Sequence, residues 1–476
     1  MLPTLVRMAR ARTYSEAIRL LNTCQSNAAT IEAIRKSGGR LNEWGIKEML
    51  DYLRRIGYAP DDLNKLNVVH ITGTKGKRLD FGIGGKVGLY TSPHLCAVRE
   101  RIRVNGEPLS EDDFAKYFFE VWERLEADPK TLTDHTPVFP IYFRLLTLLA
   151  FHAFLSMGVD ATVLEVGIGG TYDSTNIVPR PVVTGVSALG LDHTAVLGNT
   201  IEEIATNKGG IYKAGAAGLA VLRACAEKVG APFEIVPPLP ASVSLGLRGE
   251  HQRVNASLAV GLAKRFLQAT GRSVDGTDFP EAFKAPLAAT RWPGRCQAAK
   301  DDKDSNITWL LDGAHTVESL RSCGEWAWAE EATKPTALIF NTSGGRQSEI
   351  LLAALLDAGA GAAGTDRATL GAGFTDVIFC TNVTYTDGHF KGDLTAAAID
   401  PNDLAALATT QRALADAWTK LVPGFSGKVH VVPSIEHAVN IVHEEEGPRS
   451  VLVAGSLHLV GGVMEVAGLQ NALSME

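Results

Sequence analysis

Three segments of this chain close an apolar run on residues suited to phosphate or to a hard cation. Gly73-Thr74-Lys75-Gly76-Lys77 follows the run Asn67–Thr72. Glycine lets backbone N–H groups turn inward onto an anion, and lysine adds a point charge. The spacing predicts a phosphate-binding turn at the carboxyl end of a strand, where open α/β sheets take their ligands. Leu164-Glu165-Val166-Gly167-Ile168-Gly169-Gly170 ends a second run on a carboxylate and opens a glycine-rich turn reaching Asn176. A carboxylate there suits a hard metal near phosphates. Its structural alternative is a cap on the N–H groups of the turn. Leu191-Asp192-His193 closes a third run, Val182–Ala188, so His193 can converge with the first two segments.

Other segments carry less on their own. Lys208 ends an amphipathic stretch that begins at Ile201, and its plain reading is a cation at a helix C-terminus. His251-Gln252-Arg253-Val254-Asn255 starts a long helical stretch, where side chains three and four apart share a face. Trp292-Pro293-Gly294-Arg295 offers an arginine able to clamp phosphates. Asp312-Gly313-Ala314-His315 forms a tight turn after a strand, and a turn facing an inter-domain cleft suits ligand contact. Gly455-Ser456-Leu457-His458-Leu459-Val460-Gly461-Gly462 closes the last apolar run.

The elements that must position these residues alternate. Strands are expected at Leu66–Thr72, Val87–Thr91, Ala161–Val166, Val182–Ala188, Ile307–Leu311, Thr336–Asn341, Val377–Cys380, Val429–Val432 and Val451–Ala454. Several are continuous Val/Ile/Leu runs, as strands buried on both faces of a parallel sheet require. Helices are expected at Glu111–Leu125, Gln252–Gln268 and Leu404–Leu421. The first follows Ser110 with Asp113 three residues later, a capping-box start. The class is α/β. Ala298–Asn306 is polar, charged and without period, and is expected to link a domain over 1–298 to a smaller one over 307–476. Ile141–Met157 is apolar but short for a membrane span and holds Arg144 and His152, so a buried helix is expected.

Composition narrows the function. With 476 residues, 46 Lys plus Arg against 53 Asp plus Glu, and a net charge of −7, the composition argues against a strongly basic nucleic-acid binder and leaves local basic patches open. Six scattered Cys without a CxxC pair argue against a zinc ribbon or disulfide scaffold and for a reducing compartment. Arg7, Arg10, Arg12 and Arg19 against Glu16 suggest a basic surface helix, with a mitochondrial presequence as the alternative.

In order, TGTKGK (Thr72–Lys77), YTSPHL (Tyr90–Leu95), RERIRVN (Arg99–Asn105), EVGIGGTYDSTN (Glu165–Asn176), DHTAVLG (Asp192–Gly198), HQRVN (His251–Asn255), WPGR (Trp292–Arg295), DGAH (Asp312–His315) and GSLHLVGG (Gly455–Gly462) resemble the folylpolyglutamate synthases of the Mur ligase family. Phe340-Asn341-Thr342-Ser343 and the long N-terminal region resemble its eukaryotic, fungal-type branch. The resemblance implies a P-loop-type ATPase domain with a mostly parallel sheet, followed by a smaller Rossmann-like domain. It implies a ligase adding glutamate to the γ-carboxylate of (poly)glutamylated tetrahydrofolate through an acyl phosphate. Carried over, Gly73, Thr74, Lys75, Gly76 and Lys77 cradle phosphates, and Glu165 and His193 bind Mg²⁺. Lys208 matches a carbamylated lysine. Asn255, Arg295 and Asp312 hold ATP, His315 lies near the incoming glutamate, and Ser92, Pro93 and His94 lie along the folate. The implied ligands are ATP, Mg²⁺, a monovalent cation such as K⁺, tetrahydrofolate polyglutamates and L-glutamate. Neither nucleic acid nor an integral membrane segment is implied. The expectation is a cytoplasmic monomer, with a mitochondrial form as the variant.

Two departures stand out. After Lys77 the family continues with Gly-Ser/Thr and a helix, whereas this chain reads Arg78-Leu79-Asp80 and reaches Tyr90 after 12 intervening residues. Near Lys213-Ala214-Gly215 the family has an extra strand, whereas this chain passes almost at once into an expected helix, Ala217–Val229. These departures make a catalytically impaired or non-catalytic homologue the competing reading; within the enzymes the alternative is a dihydrofolate synthase, which the resemblance implies uses the same ATP chemistry.

Overall fold

A computed structural model describes residues 11–25, 40–73, 85–134, 136–187, 189–190, 194–212, 220–272, 279–329, 334–342, 348–387, 393 and 404–473. The expected strands are all present, displaced by no more than two residues at an end. They fall into two compact units, one of Met1–Ser92, Arg99–Pro240 and Val254–Pro286, the other of Pro93–Val98, Ala241–Arg253 and Leu287–Glu476.

The first unit holds β1 (Val68–Thr72), β2 (Val87–Tyr90), β3 (Ile102–Val104), β4 (Glu107–Pro108), β5 (Ala161–Glu165) and β6 (Val183–Val186). Their order is β4-β3-β2-β5-β1-β6. β2, β5, β1 and β6 are parallel, and β3 and β4 add an antiparallel edge. The connection after β1 leads past β5 to β2, while that after β5 leads past β1 to β6. The carboxyl end of β1 therefore lies where the strand order reverses, the position at which such sheets bind ligands. The helix Glu111–Ala127 starts as expected: Ser110 Oγ accepts from Asp113 N–H at 3.0 Å. Tyr142–Met157 is a helix with Leu145–Phe154 buried. His152 bonds Tyr58 at 2.8 Å and Glu120 at 2.6 Å, and Arg144 pairs with Glu48. No helix among the described residues is long and apolar enough to cross a membrane.

The second unit holds β7 (Gln297–Lys300), β8 (Ile307–Leu311), β9 (Ala337–Phe340), β10 (Asp376–Cys380), β11 (Lys428–Val432) and β12 (Arg449–Ala454), in the order β11-β10-β9-β12-β8-β7. All are parallel except β7, which runs against β8. Side chains alternate between faces, so each strand feeds two cores. Leu310, Leu338, Val377 and Leu452 pack with the helices Val317–Ala327 and Ser348–Ala363. Trp309, Ile339, Ile378 and Val453 pack with Ile435–Glu444 and Leu457–Val466. β11 departs from the doubly buried pattern. It is an edge strand whose Val429 and Val431 stay 40% and 39% exposed.

The expected linker is the clearest correction. Ala298–Lys300 belongs to β7, and the residues after it form the hairpin turn into β8. Asp301 organises that turn. Its Oδ1 accepts from the N–H groups of Lys303 and Asp304 at 2.8 and 2.9 Å. Its Oδ2 accepts from Trp309 Nε1 at 2.8 Å and His443 Nε2 at 2.9 Å. A polar, aperiodic stretch reads alike as linker or as turn, and only the buried partners on β8 and the helix Ile435–Glu444 distinguish them. The second unit already begins at Leu287.

Burial alone would push the Asp301 carboxyl up, but the hydrogen bonds of His443, Trp309 and the two N–H groups outweigh it and hold it below the ordinary value. The unfolded chain therefore binds the proton more readily. The carboxylate's contribution is complete above the ordinary carboxyl range and is lost as pH falls through it, near 4 and below. Asp301→Ala leaves the buried Trp309 Nε1 and the half-buried His443 Nε2 without an acceptor. At about 1–3 kcal/mol each, it is expected to destabilise the second unit by about 3 kcal/mol in urea denaturation at pH 7, with a smaller loss at pH 3. An unchanged midpoint at pH 7 would refute the account.

Candidate functional site

In the first unit the carboxyl ends of β1, β5, β6 and β2 lie side by side. Gly73 follows β1 so closely against β6 that a Cβ on it would sit 1.8 Å from Ser187 Oγ. Ser187 N–H donates to Thr72 O at 2.9 Å, and Thr72 Oγ1 donates to Gly169 O at 2.5 Å. Glu165 is buried at the end of β5, and its Oε2 accepts from Ser92 N–H, just past β2, at 2.8 Å. Thr74, Lys75, Gly76, Lys77 and His193 lie outside the described residues.

Glu165 does not cap the glycine-rich turn that follows it, which was its structural alternative. Asp173 does. Its Oδ2 accepts from Gly167 and Ile168 N–H at 3.1 and 3.2 Å, and its Oδ1 from Thr175 N–H and Oγ1 at 3.0 and 2.6 Å. Thr175 Oγ1 also meets His70 Nε2 of β1 at 2.8 Å. The turn then receives the end of the helix Ile201–Gly209. Thr171 N–H and Oγ1 both donate to Asn207 O, at 2.9 and 2.8 Å. Asn176 Nδ2 donates to Thr171 O and Gly210 O at 3.0 Å each. A Cβ at Gly170 would stand 2.7 Å from Lys208 O, so only glycine permits the approach. Lys208 stands in the last turn of its helix, as the plain reading expected, but it is buried there, only 4% exposed. Gly73, Ser92, Glu165 and Lys208 are thus gathered around one turn. Asn255 is buried on the helix Glu250–Ala269, which covers β6 through Leu262 against Gly185.

Gly85 and Lys86, which end the connection from β1 to β2, are at the other end of the sheet. Lys86 N–H donates to Asp160 Oδ2 at 2.7 Å and its Nζ to Met157 O at 3.0 Å, both before β5 begins.

In the second unit the WPGR, DGAH and GSLHLVGG segments meet. Gly313 N–H donates to Gly294 O at 2.9 Å, and Gly455 N–H to Ala314 O at 2.9 Å. Arg295 Nη1 would lie 2.5 Å from a Cβ on Gly313, so its guanidinium rests on that glycine. Asp312 is buried, with Oδ1 accepting from Ala314 N–H at 2.8 Å and Oδ2 from Cys296 N–H at 2.8 Å. His315 Nδ1 lies 3.0 Å from Gly313 O. A carbonyl only accepts, so Nδ1 is the donor in this contact. The expected folate trio divides, because Ser92 belongs to the first unit while Pro93 and His94 belong to the second. There His94 Nε2 lies 2.8 Å from Asp393 O.

Sequence reasoning gave no role to Asp173, His70, Thr175, Ser187 or Cys296. Asp173 carried a usable signal, since an Asp followed by Ser-Thr is a local side-chain-to-backbone turn former. His70, Ser187 and Cys296 carried none.

The chain is 41% identical to the folylpolyglutamate synthase of Candida albicans, over 97% of each chain. It is 42% identical to that of Neurospora crassa, over 97% of this chain and 93% of the relative. The Candida match extends over 507 aligned positions, 31 more than this chain has residues, so that relative carries segments without counterpart here. No family model matches. Among solved structures, the folylpolyglutamate synthase of Thermotoga maritima superposes with a TM-score of 0.65 at 24% identity, over 96% of each chain. That of Mycobacterium tuberculosis complexed with ADP gives 0.66 at 21% identity, over 96% of this chain and 99% of that one. The two sheets are those of the Mur ligase architecture. With that scaffold beneath it and two-fifths of its residues shared along nearly the whole length of fungal relatives, the chain belongs to the folylpolyglutamate synthase family.

Proposed function

We propose that this chain is an ATP-dependent amide ligase adding L-glutamate to the γ-carboxylate of (poly)glutamylated tetrahydrofolate. The observation that carries the reading is the 41% identity to a folylpolyglutamate synthase along 97% of the chain. The ADP complex of the Mycobacterium tuberculosis protein supports a nucleotide as co-substrate. An amine cannot displace oxide from a carboxylate at a useful rate. Transfer of the γ-phosphoryl group to that carboxylate makes an acyl phosphate, from which the glutamate amine displaces phosphate. The protein's tasks are then to position the groups and to neutralise charge.

The roles are those the family resemblance implies. Gly73, Thr74, Lys75, Gly76 and Lys77 receive the phosphates. Glu165 supplies a buried, hard oxygen one strand from β1, and His193 is its partner for Mg²⁺. Mg²⁺ favours one or two carboxylates plus substrate phosphates over an all-protein cage. The ion, when bound, offsets phosphate charge. Carbamylation would give the buried Lys208 the character of a carboxylate beside the same turn. Asn255, Arg295 and Asp312 hold the nucleotide. His315 Nε2 takes a proton from the glutamate nitrogen, and Ser92, Pro93 and His94 line the folate.

Glu165→Gln keeps an oxygen for Ser92 N–H, so the thermal midpoint should move little. Turnover should fall by about 10²-fold or more, the usual loss on removing one transition-state group, and half-saturation should need more Mg²⁺. An unaltered Mg²⁺ dependence would remove Glu165 from the metal site.

The shortened connection favours a second reading, a homologue with impaired catalysis. Inserting Gly-Ser-Thr and a helix after Lys77 should raise glutamate addition by at least about 10²-fold over the chain as it stands, measured with ATP and labelled glutamate. Equal turnover would mean that 78–84 supply the missing contacts. Inactivity of both would defeat the ligase reading.

A further inference from the structure

Among the described residues three non-glycines have positive φ: Asn67 at 45°, Asn105 at 51° and Cys296 at 43°. Asparagine visits the left-handed region readily, whereas cysteine does not. Such a conformation persists where its surroundings over-determine it. At Cys296 the surroundings centre on one carboxylate oxygen, with Arg248 O at 3.9 Å as the more distant acceptor of the sulfur. Asp312 Oδ2 accepts from Cys296 N–H at 2.8 Å and also from Cys296 Sγ at 3.1 Å. With Ala314 N–H on Oδ1 at 2.8 Å, the protein supplies three donors to Asp312. A carboxylate has about four acceptor positions, so one remains for a ligand.

We infer that Cys296 is a positioning residue for nucleotide binding: its N–H and S–H together fix the rotation of the Asp312 carboxylate and hold the remaining acceptor position toward the ligand. The inference rests on the reading of Asp312 as a nucleotide contact. The thiol suits the task. Burial, the Asp312 charge and the hydrogen bond to it all push the thiol pKa up, so the sulfur keeps its proton and acts as a donor rather than a nucleophile. The placement suits it too. Cys296 joins Arg295, whose guanidinium lies on Gly313, to β7, whose Gln297 pairs with Leu311 immediately before Asp312. One residue thereby sets the carboxylate of the DGAH turn against the arginine of the WPGR turn.

The test compares Cys296→Ser, Cys296→Ala, Cys296→Gly and Asp312→Asn in the full chain, reading ADP affinity by calorimetry and the thermal midpoint separately. Serine keeps a side-chain donor. Alanine loses it and keeps the strained Cβ. Glycine loses the donor but relieves the strain. Positioning predicts that affinity follows the donor. Serine should stay within about 2-fold of the parent, and alanine and glycine should both weaken ADP by about 5- to 10-fold, the upper figure being about 1.4 kcal/mol. The midpoint of the glycine variant should nevertheless equal or exceed that of alanine. If affinity instead follows the midpoint, with glycine recovering and serine not, Cys296 is a packing residue and the inference is wrong. Asp312→Asn should weaken ADP more than any Cys296 variant. Parental affinity in Asp312→Asn, or no ADP binding by the parent, would overturn the nucleotide reading of this sheet and the inference with it. Weakening by Asp312→Asn alone would overturn only the role of Cys296.

Discussion

A carboxylate taken out of water must be met by donors, and much of this structure follows from meeting that demand at Asp173. Four donors converge on it, two from the backbone of Gly167 and Ile168 and two from Thr175. An unpaired buried carboxylate is costly enough to force such a set. Once the set is complete, the turn after β5 has one shape. That shape brings Gly169 O to Thr72 at the end of β1 and presents Gly170 to the end of the helix Ile201–Gly209. Glu165 and Lys208 are then brought to the same turn by a residue that need not take part in the chemistry.

The second sheet repeats the device with different parts. Asp312 follows β8 as Glu165 ends β5, and it too collects donors from separate segments: Ala314 in its own turn and Cys296 ahead of β7. Gly455 supports the arrangement from β12. Its φ of 98° and the 2.1 Å from a notional Cβ to Asn341 O leave no room for a side chain. In both units the parallel strands deliver their carboxyl ends to one edge, and buried carboxylates there convert loose turns into fixed ones. The rigidity that a ligase needs for positioning thus comes from ordinary satisfaction of buried polar groups.

The strands were readable in the sequence because both sheets are covered on two faces, so runs such as Ala337–Phe340 and Val451–Ala454 are apolar throughout. What escaped was short or ambiguous. β3 and β4 span three and two residues, too few for any period to register. β7 reads QAAK, and the turn after it reads as a linker until Trp309 and His443 are seen to need Asp301. Among site residues, glycine turns at strand ends announced Gly73, Glu165 and Asp312, because few other compositions occur there. Cys296 announced nothing. Its importance lies in a backbone angle and in an acceptor 16 positions away in the chain.

The connection between β1 and β2 separates what folding requires from what catalysis requires. β2 lies parallel to β1 with β5 between them, so the chain must return along the sheet and move sideways by two strands. The return covers about 17 Å for five residues of strand, and the sideways step covers about 10 Å. Gly73–Lys86 is 14 residues long, which can reach about 46–50 Å when extended. The sheet can therefore close without a helix in this connection, and Lys86 is anchored by Asp160 and Met157 at its far end. A phosphate loop has no such latitude. Its anion is held by inward N–H groups, a helix N-terminus and a hydroxyl on the metal together. Fold and family membership thus tolerate a shortening to which phosphate binding is by its nature more sensitive.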